Sequence, residues 1–185
     1  MELLDLVNSE DTGTDKVQLG YFETFYDKLF SPRKYTARNI LEIGISHGHS
    51  ILLWRNFFPN ATIHAVDVNG CEAINNQERI NPIIRDAYSQ EFVNQLEKNY
   101  FDIIIDDGPH TFESMVFYIQ NYIHLVKDGG VLVLEDIINT NWTPMLLKMI
   151  DPSFNVTVFD MRNKQRDPSL LENWKGGLDV IVVEK

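Results

Sequence analysis

The chain has 185 residues, which fits a single domain built around one hydrophobic core. Hydrophobic residues make up 44% of it and charged residues 23%, a composition typical of packed globular proteins rather than disordered ones. Its 16 Lys and Arg and 27 Asp and Glu give a formal net charge of -11, which repels a phosphate backbone and argues against nucleic acid as a partner.

The cysteine count and the amino-terminal residues bear on location. Cys71 is the one cysteine, so an internal disulfide and a cysteine-rich zinc site are both excluded. The opening residues lack a basic region followed by an apolar core, and no later stretch has the roughly 20 apolar residues of a membrane-spanning helix. We therefore expect a cytoplasmic protein without a membrane partner, and the sequence leaves a homo-oligomer open.

From residue 39 onward, short apolar runs alternate with helical patterns, which is typical of parallel strands joined by right-handed helical crossovers. The runs are almost entirely apolar, as expected for strands covered by helices on both faces. The predicted strands are Ile40 to Ile45, Thr62 to Val66, Pro82 to Arg85, Asp102 to Ile105, Gly130 to Leu134, and a closing antiparallel pair at one edge, Asn155 to Phe159 and Asp179 to Val183. The predicted helices are Ser50 to Phe57, Ser89 to Asn99, Phe112 to Leu125 and Thr143 to Ile150.

These elements predict an α/β fold with a mostly parallel seven-stranded sheet, an antiparallel edge strand and helices on both faces. We expect one domain over residues 1–185, with a helical amino-terminal segment, 1–38, and a core, 39–185. The aromatic-rich stretch from Tyr21 to Phe30 predicts an amphipathic helix that packs on the core. A lid over a ligand is the alternative role for this segment.

In an open parallel sheet, ligands bind outside the carboxyl ends of the strands. The first predicted strand leads into a turn in which Gly44 and Gly48 allow the backbone to approach a ligand closely. Ser46 and His49 stand where the dinucleotide fingerprint requires glycine, so a nicotinamide cofactor is disfavoured. The turn indicates a nucleotide-like ligand, although short glycine turns also occur for purely structural reasons.

Two acids follow the next strands. Asp67 ends the second strand, where a carboxylate can accept hydrogen bonds from both ribose hydroxyls, and a solvated strand-end aspartate is the alternative. Asp86 follows the third strand and is predicted to accept from the adenine amino group. The candidate cofactor-binding residues are Glu42, Gly44, Ser46, Gly48, Asp67, Val68, Asp86, Ala87 and Asp106.

A cluster of carboxylates is predicted where the fourth and fifth strands end side by side. Asp107, Glu135 and Asp136 should converge there, and converging carboxylates repel one another unless a cation or a proton separates them. Oxygen ligands suit magnesium, calcium or manganese better than zinc. The alternative is that Asp107 or Asp136 caps the following helix.

His110 lies three positions after Asp107 and is the candidate general base, since histidine accepts a proton near neutral pH. The predicted catalytic residues are His110 and Asp107. A covalent mechanism is unsupported, because Cys71 lies in a polar loop and the chain has no G-x-S-x-G elbow.

Taken together, these motifs resemble those of class I methyltransferases, and in particular the magnesium-dependent sugar O-methyltransferases of macrolide biosynthesis, the macrocin and mycinamicin type. The matching segments are GTDK at 13–16, LEIG at 41–44, Trp54, FP at 58–59, VD at 66–67, DDGPH at 106–110, GG at 129–130 and ED at 135–136. The resemblance implies a Rossmann-like class I methyltransferase fold and S-adenosyl-L-methionine as the cofactor. It also implies Mg²⁺ on Asp107, Glu135 and Asp136, with His110 as the base.

The implied reaction is transfer of a methyl group to a hydroxyl of a small-molecule substrate, either a sugar or a diol-like compound. Pro109 departs from the resemblance, because the family usually has serine there, and it removes a backbone donor from the turn. The acceptor is therefore not assumed to be a macrolide sugar. Two alternatives stay open: a metal-independent small-molecule methyltransferase and a non-catalytic module that binds S-adenosylmethionine.

Overall fold

The computed structural model describes residues 2–9, 13–164 and 179–185. Seven strands form one sheet in the order β3-β2-β1-β4-β5-β7-β6. They are β1 (Asn39–Ile43), β2 (Thr62–Asp67), β3 (Ile80–Ile84), β4 (Phe101–Asp106), β5 (Val126–Ile137), β6 (Asn155–Asp160) and β7 (Asp179–Glu184). The first five strands are parallel, and β7 runs antiparallel to both β5 and β6. The predicted fold class is confirmed, with the antiparallel strand one place in from the edge.

The described helices are mostly short. They are α1 (Leu3–Ser9), α2 (Asp27–Phe30), α3 (His49–Phe57), α4 (Gln90–Val93), α5 (Phe112–Tyr122) and α6 (Thr143–Leu147). A π-helical turn, Phe22–Tyr26, precedes α2, and single 3₁₀ turns cover Ser31–Arg33, Glu72–Ile74 and Ile123–Leu125. No described helix has the length and apolar character needed to cross a bilayer.

Strands β1, β4 and β7 are covered on both faces, which explains why their sequences are largely apolar without alternation. Ile103 and Ile105 of β4 pack into one core layer with the amino-terminal segment and α3. Ile104, between them, faces the opposite layer, which contains α5 and α6. Alternate side chains of one strand therefore stabilise two cores.

The aromatic stretch at 21–30 packs on the core, as predicted. Phe22, Tyr26 and Phe30 surround Trp54 of α3, with ring centroids 5.9, 5.1 and 5.2 Å from the indole. All four side chains are fully buried. This packing fixes the amino-terminal segment against the sheet, close to the ends of β4 and β5.

Three predicted helices are shorter than expected. The one from Phe112 to Leu125 ends at Tyr122, and its last three residues form a 3₁₀ turn. The helix predicted from Ser89 to Asn99 is reduced to α4. After Val93 the backbone forms i to i−3 hydrogen bonds, such as that from the Leu96 N–H to the Val93 carbonyl. The helix predicted to end at Ile150 ends at Leu147 for the same reason. Such bonds tighten the last turn of a helix and end it.

The predicted strands differ from the observed ones mainly at their ends. β5 begins four residues before Gly130, because Gly129 and Gly130 exchange backbone hydrogen bonds with Lys185. β1 ends at Ile43, because Gly44 has φ +93°. Pro82 lies inside β3, which is an edge strand and tolerates the missing donor.

Candidate active site

A cavity of about 780 Å³ opens at the carboxyl ends of β1, β2, β3 and β4. Its walls include six predicted cofactor-binding residues, namely Gly44, Ser46, Asp67, Val68, Asp86 and Ala87, together with both predicted catalytic residues, Asp107 and His110. Residues 13–15 of the amino-terminal segment form a further wall. The structure thus brings most of the predicted site together in one cleft.

The glycine turn after β1 depends on close packing against the end of β4. Gly44 has φ +93°, and a Cβ at this position would lie 1.9 Å from the carbonyl oxygen of Asp107. Its own N–H donates to the Val66 carbonyl at 2.9 Å. Only glycine allows this approach, which places the turn directly beside Asp107.

Asp67 ends β2 and helps to shape the same turn. Its Oδ2 accepts from the Ile45 N–H and its Oδ1 from the Asn69 N–H, both at 2.9 Å. The side chain is half-buried and lines the cavity, and each of its oxygens retains a further lone pair for a ligand. Beside it Val68 is 63% exposed and offers an apolar surface to the cleft.

At the end of β3, Asp86 is exposed and accepts the Tyr88 N–H at 2.9 Å through Oδ1. Its neighbour Ala87 is buried and lines the cavity. Both residues therefore line the cavity, and a contact of Asp86 with adenine stays a prediction.

Three predicted cofactor-binding residues are not on the cavity wall. Glu42 is fully buried and accepts from Ser50 Oγ at 2.8 Å and Trp54 Nε1 at 2.5 Å. Gly48 is the N-cap of α3, with φ +80°. Asp106 is buried beneath the cavity and accepts from the Tyr88 hydroxyl. The structure gives these three residues supporting contacts behind the cavity wall.

Beside the glycine turn, Asp107 and His110 of the cavity wall form a compact group of potential metal ligands with the buried Asp136. One potential ligand atom comes from each of Asp107, His110 and Asp136, and these three atoms lie within 4.8 Å of one another. His110 Nε2 lies 3.7 Å from Asp107 Oδ1 and 3.7 Å from Asp136 Oδ2. Two ligand atoms that each lie about 2.0–2.6 Å from the same hard cation are separated from each other by similar distances. The group therefore fits a divalent ion.

Glu135 makes different contacts from those predicted. Both of its carboxylate oxygens are engaged, one by the Tyr26 hydroxyl and the other by Lys16 Nζ at 2.5 Å. A fully buried carboxylate needs such partners, and the amino-terminal segment supplies them here. The clustered ligand atoms therefore include His110 in place of Glu135.

The backbone at these strand ends is unusual. Ser46, His110 and Asp136 have φ values of 47°, 53° and 52°, a region that non-glycine residues seldom adopt. Asp136 also lies at a bulge, since the pairing of β5 with β7 shifts register between Leu134 and Ile137. A bulge redirects side chains, and here the two adjacent acids have different partners: Asp136 lies near His110, whereas Glu135 accepts from Lys16.

Lys16 is the main site residue that sequence reasoning missed. Its ammonium is 1% exposed and lies 2.5 Å from Asp107 Oδ2, 2.5 Å from Glu135 Oε2 and 3.8 Å from Glu42 Oε1. The GTDK motif marked this segment but not the direction of its lysine. The signal that could have identified Lys16 is electrostatic, because carboxylates buried close together require a positive charge beside them.

Tyr21 and Tyr26 were predicted only as core residues. Both rings are buried, yet their hydroxyls donate to Asp136 and Glu135 respectively. Burial and the neighbouring carboxylates raise the pKa of both phenols well above its usual value. The two tyrosines therefore stay protonated and act as donors to the cluster.

Burial dominates the electrostatics of the site. It raises the pKa of Glu42 to about 7, although Lys16 opposes the shift. It also raises the pKa of Asp106 to about 7, against the hydrogen bond from Tyr88. Burial lowers the pKa of Lys16, but the surrounding carboxylates raise it more, so the net pKa lies well above its usual value. The ammonium is therefore a permanent positive charge.

The helix-capping alternative for the aspartates is wrong. The N-cap of α5 is Thr111, whose hydroxyl accepts from the Ser114 N–H at 3.1 Å, and the N-cap of α6 is Trp142. Asp107 and Asp136 instead contribute to the cluster beside the glycine turn. Their carboxylates are available for chemistry rather than used in capping.

Comparison with known proteins gives the same picture. The chain matches a family model described as a methyltransferase domain over residues 41–137, more than half of its length. Mycinamicin VI 2''-O-methyltransferase of Micromonospora griseorubida and demethylmacrocin O-methyltransferase of Streptomyces fradiae are each 29% identical over 133 residues. Each match covers 67% of this chain and 33% of the relative, so the chain spans about a third of the length of these proteins.

The fold is also similar to that of solved structures. MycE methyltransferase from the mycinamycin biosynthetic pathway, solved in complex with Mg and SAH, has a TM-score of 0.69 at 24% identity, covering 100% of this chain and 55% of that one. A spermidine synthase has a TM-score of 0.63 at 18% identity, covering 93% and 61%. At these identities the likeness concerns the fold alone. With the family model matched over 41–137, the chain belongs to this family of methyltransferase domains.

Proposed function

We propose that this chain is an S-adenosylmethionine-dependent O-methyltransferase that acts on a hydroxyl of a small molecule, with a sugar or another vicinal diol as the acceptor. One observation carries the proposal. A single cavity is lined by a strand-end acid, Asp67, by a glycine turn, and by Asp107 and His110, which form a cluster with the buried Asp136. A nucleoside cofactor and a polar acceptor can therefore meet in one cleft.

In the proposed reaction the acceptor oxygen attacks the methyl carbon of the cofactor in line. The new O–C bond forms as the C–S bond breaks, and S-adenosylhomocysteine leaves. His110 accepts the hydroxyl proton on Nε2, which lies 3.7 Å from both Asp107 and Asp136. The walls of the cleft hold the two reactants in contact, and this positioning supplies much of the rate acceleration.

Asp107 and Asp136 are the residues that would hold a divalent cation, while Nε2 of His110 beside them would stay free to accept the proton. When bound, Mg²⁺ supplies positive charge that lowers the pKa of a nearby hydroxyl. MycE was solved with Mg, which supports this assignment. Two curated relatives are named as O-methyltransferases of rhamnosyl compounds, which supports a sugar as the acceptor. A vicinal diol suits the site, because two adjacent oxygens can share one cation.

A metal-independent methyltransferase is the second candidate, favoured by one observation. Lys16 already neutralises Asp107 and Glu135 at 2.5 Å, so the cluster has an internal cation. In that case the acids would orient the acceptor through hydrogen bonds. Turnover that persists in excess chelator would favour this candidate.

The test is conversion of S-adenosylmethionine to S-adenosylhomocysteine across a panel of glycosides with free vicinal hydroxyls, with Mg²⁺ or with a chelator. Asp107→Ala should reduce turnover by about 100-fold or more, because the variant loses a carboxylate at the reacting end. Its cofactor affinity should stay within about twofold of wild type, since Asp67 is untouched. Asp128→Ala, at an exposed position on β5, is the control. Wild-type turnover in Asp107→Ala would contradict the proposal.

A further inference from the structure

Lys16 occupies the centre of the buried carboxylate cluster. Its ammonium contacts Asp107 and Glu135 at 2.5 Å and lies 3.8 Å from Glu42, and all of its side chain is buried. Three elements meet at this one charge, because Glu42 belongs to β1, Asp107 follows β4 and Glu135 lies in β5. A buried cation with three carboxylate neighbours is an electrostatic component of the site.

The two oxygens of Asp107 face different partners. Oδ2 accepts from Lys16, while Oδ1 faces His110 Nε2 at 3.7 Å. A divalent cation among Asp107, His110 and Asp136 would therefore share Asp107 with the ammonium. Two positive charges on one carboxylate repel each other strongly in a site of low polarity.

We propose that Lys16 is a built-in counter-ion of this cluster, which holds Asp107 and Glu135 together before a divalent cation binds and weakens the binding of that cation. The inference rests on the proposed function, because it concerns the same cation site. Lys16 is thus a positioning residue that sets metal affinity, and it lies behind the cavity wall that Gly13, Thr14 and Asp15 form. The site then stays folded without metal, and metal binding is readily reversible.

Lys16→Met tests this role, because methionine keeps most of the chain length and removes the charge. The protein without metal should melt at a lower temperature than wild type, since the buried Glu135 and the half-buried Asp107 lose their partner. Mg²⁺ or Mn²⁺ should bind roughly tenfold more tightly by calorimetry, because the competing charge is gone. The rise in melting temperature on adding the ion should also exceed that of wild type.

Lys127→Met is the matched control. Lys127 also pairs with an aspartate, Asp102, with Nζ 3.0 Å from both of its oxygens. This pair lies at the opposite end of the strands, where Phe101 pairs with Val126. Loss of the Lys127 pair should leave the affinity for Mg²⁺ unchanged.

The outcomes separate this inference from the proposed function. Equal or weaker cation binding by Lys16→Met, with normal binding by wild type, overturns the counter-ion role and leaves the proposed function standing. Binding by the variant alone supports the inference and contradicts a metal in the wild-type reaction. Absence of binding in both proteins overturns the counter-ion role and leaves the metal-independent methyltransferase as the candidate function.

A second variant and a measurement on wild type cover the case in which Lys16→Met does not fold. Lys16→Gln also removes the charge but keeps a hydrogen-bond donor, and the same increase in affinity is expected. In wild type, Mg²⁺ should shift the ¹⁵N resonance of the Lys16 ammonium and leave that of Lys127 in place. An unmoved Lys16 resonance under saturating Mg²⁺ overturns the inference.

Discussion

Asp106 shows how burial sets the charge state of a single residue beside the site. Its pKa is raised to about 7 by burial, against the usual 3.8. Between these values the folded protein keeps the proton that the unfolded chain has lost, so the stability contributed by Asp106 falls as pH rises. Above about pH 7 Asp106 is ionised in the folded protein too, and the free energy of unfolding is lowered by the full cost of its buried charge.

Asp106→Asn removes this dependence while keeping an oxygen for the Tyr88 hydroxyl. In the presence of a chelator, the free energy of unfolding of the variant minus that of wild type should rise by about 2–3 kcal/mol from pH 5 to pH 8. Each pKa unit corresponds to roughly 1.4 kcal/mol. Urea unfolding at the two pH values measures the gain. Asp151→Asn, at an exposed aspartate whose pKa is lowered by hydrogen bonds from Ser153, should show no such gain. A difference independent of pH would contradict the account of Asp106.

At this scale the sequence predicted which strand-end residues meet but not every contact that they make. Asp107, His110 and Asp136 were predictable because residues that follow neighbouring parallel strands must end at one edge. Lys16 was not, because it comes from a segment outside the alternating pattern of strands and helices. Its position depends on how the aromatic stretch at 21–30 packs, which no local pattern specifies.

At the scale of elements, the turn between β1 and α3 depends on one glycine. Gly44 and Gly129 both have positive φ, 93° and 79°, but their surroundings differ. A Cβ on Gly44 would lie 1.9 Å from the Asp107 carbonyl oxygen, whereas a Cβ on Gly129 would have no heavy atom within 4 Å. Alanine substitutions at these two glycines therefore separate the free-energy cost of a left-handed backbone from the cost of a steric contact.

Gly129→Ala should lose about 1–2 kcal/mol of stability, the usual cost of a left-handed backbone for alanine. Gly44→Ala should lose at least about 1–3 kcal/mol more, because the β4 end must move away from the turn. It should also weaken S-adenosylmethionine binding, since the turn lines the cavity. Chemical denaturation and calorimetry measure these effects. Equal losses in the two variants would show that the contact with Asp107 is unimportant.

Element types were more predictable than their ends. Seven apolar runs gave seven strands, because strands buried on both faces leave a continuous apolar signal. The extension of β5 across Gly129 and Gly130 was not predictable, since it depends on pairing with Lys185 at the far end of the chain. The bulge at Asp136 likewise follows from the pairing of β5 with β7.

At the scale of the molecule, the site is made by the sheet and completed by the amino-terminal segment. The carboxyl ends of the parallel strands supply the glycine turn and the acids. Residues 13–30 supply a cavity wall, a buried ammonium and two phenol donors to the carboxylates. We therefore expect cofactor binding, metal binding and packing of this segment to be energetically linked.

The central claim is that the cleft between the glycine turn and Asp67 binds S-adenosylmethionine. Calorimetric titration of wild type, Asp67→Ala and Asp160→Ala tests it, because Asp160 also ends a strand and accepts the N–H two residues ahead. We expect Asp67→Ala to bind about tenfold or more weakly, the value of a lost hydrogen bond to a carboxylate, and Asp160→Ala to bind like wild type. The same dissociation constant in wild type and Asp67→Ala would contradict the account.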